Sequence, residues 1–336
     1  MDRVTMADGA GGVSTQRLIE RLFAKYLGNK YLSQMEDATR VPGGAELALT
    51  TDSFVVTPIE FPGGNIGRLS VCGTVNDVLM SGARPLYLTA GWILEEGLPL
   101  TVLESCVRAM AETAKEAGVA VVAGDTKVIE NRSGEEPEIL INTAGCGIFD
   151  ETHRPVSADL VKEGDVILLS GNLGDHHAAL LGKRMQIEND ITSDSAPLSE
   201  MVEALERSGI RIHEMRDVTR GGLATVLNEF AESTGKTFVL SEEALPVFPA
   251  VKSFAGILGL DPLYMGNEGK MVCMVGREDA DRALSLIRGA RYGKDAAVIG
   301  HVEKAEGPAP SVILETAVGG KRILGPLYGE GLPRIC

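Results

Sequence analysis

Positive charge is in short supply in this chain of 336 residues. Lysine and arginine number 32 against 47 aspartates and glutamates, a formal charge of -15. That balance excludes a binder of the phosphate backbone, because such proteins displace counterions with clustered Lys and Arg. No nucleic acid partner is expected. Long apolar runs are missing too: none approaches the roughly 20 residues that span a bilayer. The opening MDRVTMADGAGG lacks the apolar centre of a signal peptide. A cytoplasmic protein that stays off the membrane is expected. Cysteine occurs at 72, 106, 146, 273 and 336, with no C-x-x-C pair, so neither a disulfide framework nor a zinc knuckle is indicated. Aromatic residues make up only 4% of the chain. Familiar nucleotide loops are absent as well. AESTGKTF carries Phe230 where a P-loop needs its earlier glycine, and DGAGGVS carries Ser14 where a dinucleotide fingerprint needs its last one.

What the chain does have is glycine, 40 residues of it, in a sequence that is 44% hydrophobic. Many tight turns, or loops where backbone approaches a ligand, are implied. The length exceeds what one core usually supports, so two domains are expected. In the first half, ELALTTDSFVV and PLYLTAGWIL read as strands around a helix at IGRLSVCGTVNDVLMSG. A second helix follows at LTVLESCVRAMAETAKEAG, with Thr101 and Glu104 as a capping box and Leu103, Val107, Met110 and Ala114 at helical spacing. The strands VAVVAGDTKVI and EILINTAGCGIF flank ENRSGEEPE, which reads as a hairpin loop. The pattern loosens near DETHRPVSADLVKEGD and restarts at DVILLSG. Repeated alternation of strand and helix predicts an α/β protein with α+β mixed sheets. Its predicted parts are 1–150, 151–324 and a flexible tail, 325–336.

Carboxylates at strand and loop ends are the first chemical signal: Asp52 in TTDSF, Asp77 in GTVNDVLMSGA and Asp125 in GDTKV. A few such groups beside phosphate oxygens suit a magnesium–nucleotide site, and Lys127 stands two residues beyond Asp125 as a phosphate contact. The alternatives are a turn residue, a solvated helix position and a cap. Asp217, Thr219, Arg220 and the Gly221-Gly222 pair precede a helix, a favourable place for an anion. YMGNEGKMV offers Asn267, Glu268 and Lys270 in a turn, and SGNLGDHHA offers Asp175 and His176. Cys106 and Cys146 read as small core residues. Cys336 differs, lying beyond Gly325, Gly329, Gly331 and Pro333, which keep a segment out of helices and sheets.

The segments EFPGGNIG, GTVNDVLMSGA, GWILEEGLP, GDTKV, INTAG, SGNLGDHHA, DVTRGG, NEGK, GKDAAVIG and PRIC, in that order over nearly the whole chain, together resemble the HypE-type hydrogenase maturation factors. These share a superfamily with aminoimidazole ribonucleotide synthetase, selenophosphate synthetase and thiamine-phosphate kinase. Asp8 stands where a histidine is often found. The resemblance implies a two-domain PurM-like fold, a homodimer formed through the first-domain sheets, and ATP with Mg2+ in a cleft near the interface. It implies a carbamoyl group loaded on Cys336 by a HypF-like carbamoyltransferase and dehydrated to a thiocyanate, with the cyanide passed to a HypC/HypD-like iron carrier for [NiFe] hydrogenase. The site then comprises Asp52, Asp77 and Asp125 on the metal. Asn76, Gly124, Thr126, Lys127, Arg220 and Asn267 join them around the nucleotide, and Glu268 and His176 serve the chemistry of Cys336. Two other readings stand beside it: another ATP-dependent enzyme of the superfamily acting on a small molecule, and a nonenzymatic nucleotide-binding carrier.

Overall fold

In a computed structural model the described residues are 3–9, 17–32, 41–131, 134, 136–305 and 309–327. Cys336, and the tail from residue 328 onward, lie outside them. The first half builds a four-stranded sheet from β1 (Leu47–Phe54), β4 (Arg84–Glu95), β5 (Ala120–Ile129) and β6 (Ile139–Ile148), in the order β1-β6-β4-β5. The short strands β2 (Glu60–Phe61) and β3 (Gly64–Asn65) form a separate hairpin. Helices α1 (Ile66–Met80) and α2 (Leu100–Ala117) cover one face of the sheet.

Helix α1 packs so closely on the sheet that β-carbons at Gly145 and Gly147 of β6 would stand 2.8 and 2.4 Å from Thr74 and Val78. Only glycine lets the helix lie this near, which brings Asp77 down onto the strands. Leu103, Val107, Met110 and Ala114 of α2 are buried as their spacing requires, and Gly118 ends the helix with φ 75°. The capping box does not form. Pro99 holds the N-cap position without a side-chain bond, and Glu104 instead accepts from Lys25 at 2.9 Å and from the Tyr26 hydroxyl. Nor are β5 and β6 a hairpin. Each pairs with β4, β5 parallel and β6 antiparallel, so the polar insert crosses over β4.

The second half is a seven-stranded sheet of β7 (Val166–Leu169), β8 (Ile212–Asp217), β9 (Lys236–Ser241), β10 (Met271–Val275), β11 (Ala297–Lys304), β12 (Val312–Glu315) and β13 (Lys321–Leu324). Its order is β13-β12-β9-β11-β7-β10-β8, parallel only between β9 and β12. Its helices are α3 (Asp175–Arg184), α4 (Ser199–Arg207), α5 (Gly222–Thr234), α6 (Pro249–Leu258) and α7 (Ala280–Gly289). Phe230 and Leu227 of α5 pack with Phe238 and Leu240 against one face. On the other, Met215, Cys273 and Ile287 join a core that continues through Leu198 and Met201 to Leu69, Leu103 and Trp92 of the first half. The halves therefore meet in one apolar layer. No helix among the described residues is long and apolar enough to cross a membrane.

Candidate active site

Asp52 occupies the inner face of β1, the face toward α1, and accepts from Thr74 Oγ1 of that helix at 3.2 Å. One turn further along α1, Asp77 accepts from Thr50 Oγ1 at 2.9 Å. Burial, and the Asp52 carboxylate beside it, push Asp77 up to about 6. Asp217 ends β8 and pairs with Met271 of β10, so its loop lies against the turn that carries Glu268. Val218 N–H donates to Lys270 O at 2.9 Å, locking the two loops together. Asp217 is pushed up to about 7 by burial, then by Asp77 and Asp52. Three separated segments thus bring carboxylates to one buried corner.

Glu268 completes it. The side chain is buried, and its carboxyl is held well above the ordinary range by burial first, then by Asp217 and Asp194, against the favourable charge of Arg220. Its Oε1 is buried without a hydrogen-bond partner, so one acceptor remains for an incoming donor. Among the described residues no three of His, Cys, Asp and Glu can enclose a cation by themselves. The corner nonetheless suits magnesium brought in with a nucleotide, since that ion commonly takes one or two carboxylates and completes its octahedron with phosphate oxygens and water. A cation there would offset the burial, and the mutual repulsion, that raise Asp77 and Asp217.

The other sequence-derived candidates fall into two groups. Gly124, Asp125, Thr126 and Lys127 lie on β5, the far edge of the sheet from β1. The register aligns Asp52 with Thr143, Ala90 and Gly124 in one row, and Ser53 with Asn142, Gly91 and Asp125 in the next. Asp125 and Lys127 therefore face outward, on the opposite side of the sheet from Asp52 and three strands away, about 14 Å. They do not converge with Asp52 and Asp77 within one chain.

Asn76, Asn267 and His176 are fully used inside the fold. Asn76 donates to Ala196 O at 3.1 Å and accepts from Leu198 N–H at 2.9 Å. Asn267 accepts from Gly174 N–H at 2.8 Å and donates to Val218 O at 3.0 Å. His176, buried at the start of α3, meets Ser193 Oγ through Nδ1 at 2.7 Å and the edge of Phe61. Asn267 braces the loops that carry Glu268 and Asp217, while Asn76 and His176 hold residues 193–198 beside them. Arg220 stands exposed before α5, within electrostatic reach of Glu268.

Asp217 was singled out in the sequence with the anion-binding turn before a helix, not with the metal carboxylates. Asp194, in TSDSAPL, had no signal, since that stretch reads as an ordinary polar loop. The chain's exit matters as well. Leu327, the last described residue, donates its N–H to Thr225 Oγ1 at 3.4 Å in the first turn of α5, just after Gly221 and Gly222. The tail therefore departs beside the loop that holds Asp217 and Arg220.

Residues 35–149 match the N-terminal domain of AIR synthase related proteins, and residues 162–313 match the C-terminal domain. The carbamoyl dehydratase HypE of Cupriavidus necator is 46% identical over 338 residues, covering 99% of this chain and 95% of that protein. A crystal structure of the hydrogenase maturation protein HypE in complex with ATP superposes with a TM-score of 0.93 at 44% identity, covering 99% of both chains. The structure of a HypE–HypF complex matches at a TM-score of 0.79 and 46% identity, over 92% of this chain and 99% of that one.

Proposed function

The chain belongs to the HypE family of carbamoyl dehydratases, and from that premise we propose how its own residues carry out the reaction. It is an ATP-dependent dehydratase of hydrogenase maturation. Its substrate is a carbamoyl group on the Cys336 sulfur, loaded by a HypF-like carbamoyltransferase. In the site the carbamoyl oxygen takes the γ-phosphoryl group of ATP, ADP departs, and one N–H proton is lost. Removal of the second N–H proton then expels phosphate with the C–O bond and leaves S–C≡N. Glu268 in its ionised form, which Arg220 favours against burial, is the base: its unpartnered Oε1 is the acceptor this step needs. Asp52 and Asp77 would hold magnesium, with phosphate oxygens and water completing its shell, and the ion would supply charge neutralisation for phosphoryl transfer. Arg220 and the start of α5 receive phosphate.

Leu327 carries this reading. It sits at the first turn of α5, and Cys336 lies nine residues beyond it, a reach of roughly 30 Å when extended. That is ample for the thiol to enter its own chain's site.

Residues 1–150 then serve nucleotide binding and dimerisation, 151–324 supply Glu268 and Arg220, and 325–336 carry the thiol. A second copy covers the outer face of the first sheet, where Leu47, Leu49, Ile93 and Ile129 are exposed. Asp125 and Lys127 share that outer face, so they reach phosphate from the second copy rather than from their own. The cyanide group passes to a HypC/HypD-like iron carrier, all in the cytoplasm.

The test is peptide mass spectrometry after incubation with carbamoyl phosphate, a HypF-type transferase and ATP. The Cys336 peptide should gain a carbamoyl group and then lose the mass of one water. Loading at Cys72 instead, or dehydration by a Cys336→Ala chain, overturns the reading.

A further inference from the structure

Behind Glu268 runs an extended segment, residues 191–198, that belongs to neither sheet. It straps the halves together. Ser193 N–H donates to Pro62 O at 2.8 Å, and Ser195 O accepts from Arg68 Nε at 2.7 Å, both on the first half. On the other side the strap grips Glu268 at both of its backbone groups. Asp194 Oδ1 accepts from Glu268 N–H at 3.1 Å, and Ala196 N–H donates to Glu268 O at 3.2 Å. A β-carbon on Gly269 would stand 2.0 Å from Asp194 O, so turn and strap touch with no room for a side chain between them.

Asp194 is itself held. Its Oδ2 lies 3.1 Å from Lys270 Nζ, both side chains nearly inaccessible, close enough for an ion pair although not aligned as a hydrogen bond. Lys270 in turn lies across Gly171, where a β-carbon would come within 2.9 Å of Lys270 Cε. A buried ion pair of this kind adds little net stability compared with an apolar pair of the same shape. The orientation of Glu268 is where its effect falls. Oε1 has no partner of its own, so the aim of that carboxyl depends on the peptide groups on either side of it.

We propose that Asp194, held in place by Lys270, is a positioning residue for dehydration: it fixes the Glu268 peptide so that Oε1 faces the carbamoyl nitrogen. This rests on the reading of Glu268 as the base. A loosened Glu268 turn displaces the base without touching the nucleotide contacts, and misplacement by about 1 Å can cost on the order of a hundredfold in rate.

The experiment compares two full-length chains that both lack the buried charges, Asp194→Asn/Lys270→Met and Asp194→Ala/Lys270→Met, each carbamoylated by a HypF-type transferase. They differ in the carbonyl that accepts from Glu268 N–H. Single-turnover dehydration at saturating ATP should be slower in the alanine pair by about tenfold or more, with the half-saturating ATP concentration the same in both. Equal rates, or a difference confined to half-saturating ATP, overturn the proposal. Glu268→Gln is run alongside. Full activity there sinks the reading of Glu268 itself, whereas an inactive Glu268→Gln with equal rates in the two pairs sinks only the role of Asp194.

Discussion

Asp77 shares a buried corner with Asp52 and Asp217, an arrangement that is unfavourable unless a proton or a cation is held among them. Asp77→Asn should keep the fold and raise the magnesium concentration needed for half-maximal ATP turnover by on the order of tenfold. An unchanged magnesium titration would remove Asp77 from the metal. Asp175 gives a different test. Burial, then Asp194, push it up to about 7, against Lys270 and together with Asp295. A carboxyl whose folded value is raised contributes stability below its unfolded value, near 3.8, and that contribution is lost as pH rises through about 7. The nucleotide-free protein should therefore gain melting temperature from Asp175→Asn at pH 8 and gain little at pH 4. Each pH unit in that window is worth at most about 1.4 kcal/mol. Equal effects at both pH values in thermal melts would contradict the assignment. At this scale the sequence offered Asp52, Asp77 and Glu268 as separate acidic residues, whereas the meeting of the Glu268 turn with Asp217 is a product of β8 pairing with β10, Asp217 opposite Met271.

Elements were legible where periodicity is strong and misleading where pairing is non-local. Helix α2 follows its apolar spacing, whereas α1 is buried on nearly every side, polar Ser70, Thr74 and Asn76 included; Gly235 ends α5 with φ 66°. The hairpin expected between β5 and β6 failed because nothing in either strand reports that β4 lies between them. Asn76 shows the same limit. Its place in GTVNDVLMSGA suggests a ligand contact, while in the fold both ends of its amide bind the 191–198 strap. Asn76→Ala should cost about 2–4 kcal/mol in urea unfolding, since two buried backbone groups lose their partner. A variant of unchanged stability but weakened ATP affinity would return Asn76 to the nucleotide.

Over the whole molecule, the single apolar layer that joins the two sheets was not visible in the sequence, because packing between the halves leaves no period in either segment. The uncovered outer face of the first sheet makes its own prediction. On the dimer proposed above, Leu49→Asp with Ile93→Asp should leave a monomer in sedimentation, with little change in circular dichroism. A parent already monomeric at micromolar concentration would oppose the dimer. The departure of the chain at Leu327, beside the first turn of α5, has a kinetic meaning. A reactant joined to its catalyst by a short tether is presented at an effective concentration in the millimolar range, whatever the concentration of the protein itself. With the substrate on Cys336, as proposed, dehydration should be first order in loaded protein, with no Michaelis constant for the carbamoyl group and a rate constant that holds when the loaded protein is diluted about a hundredfold at fixed ATP.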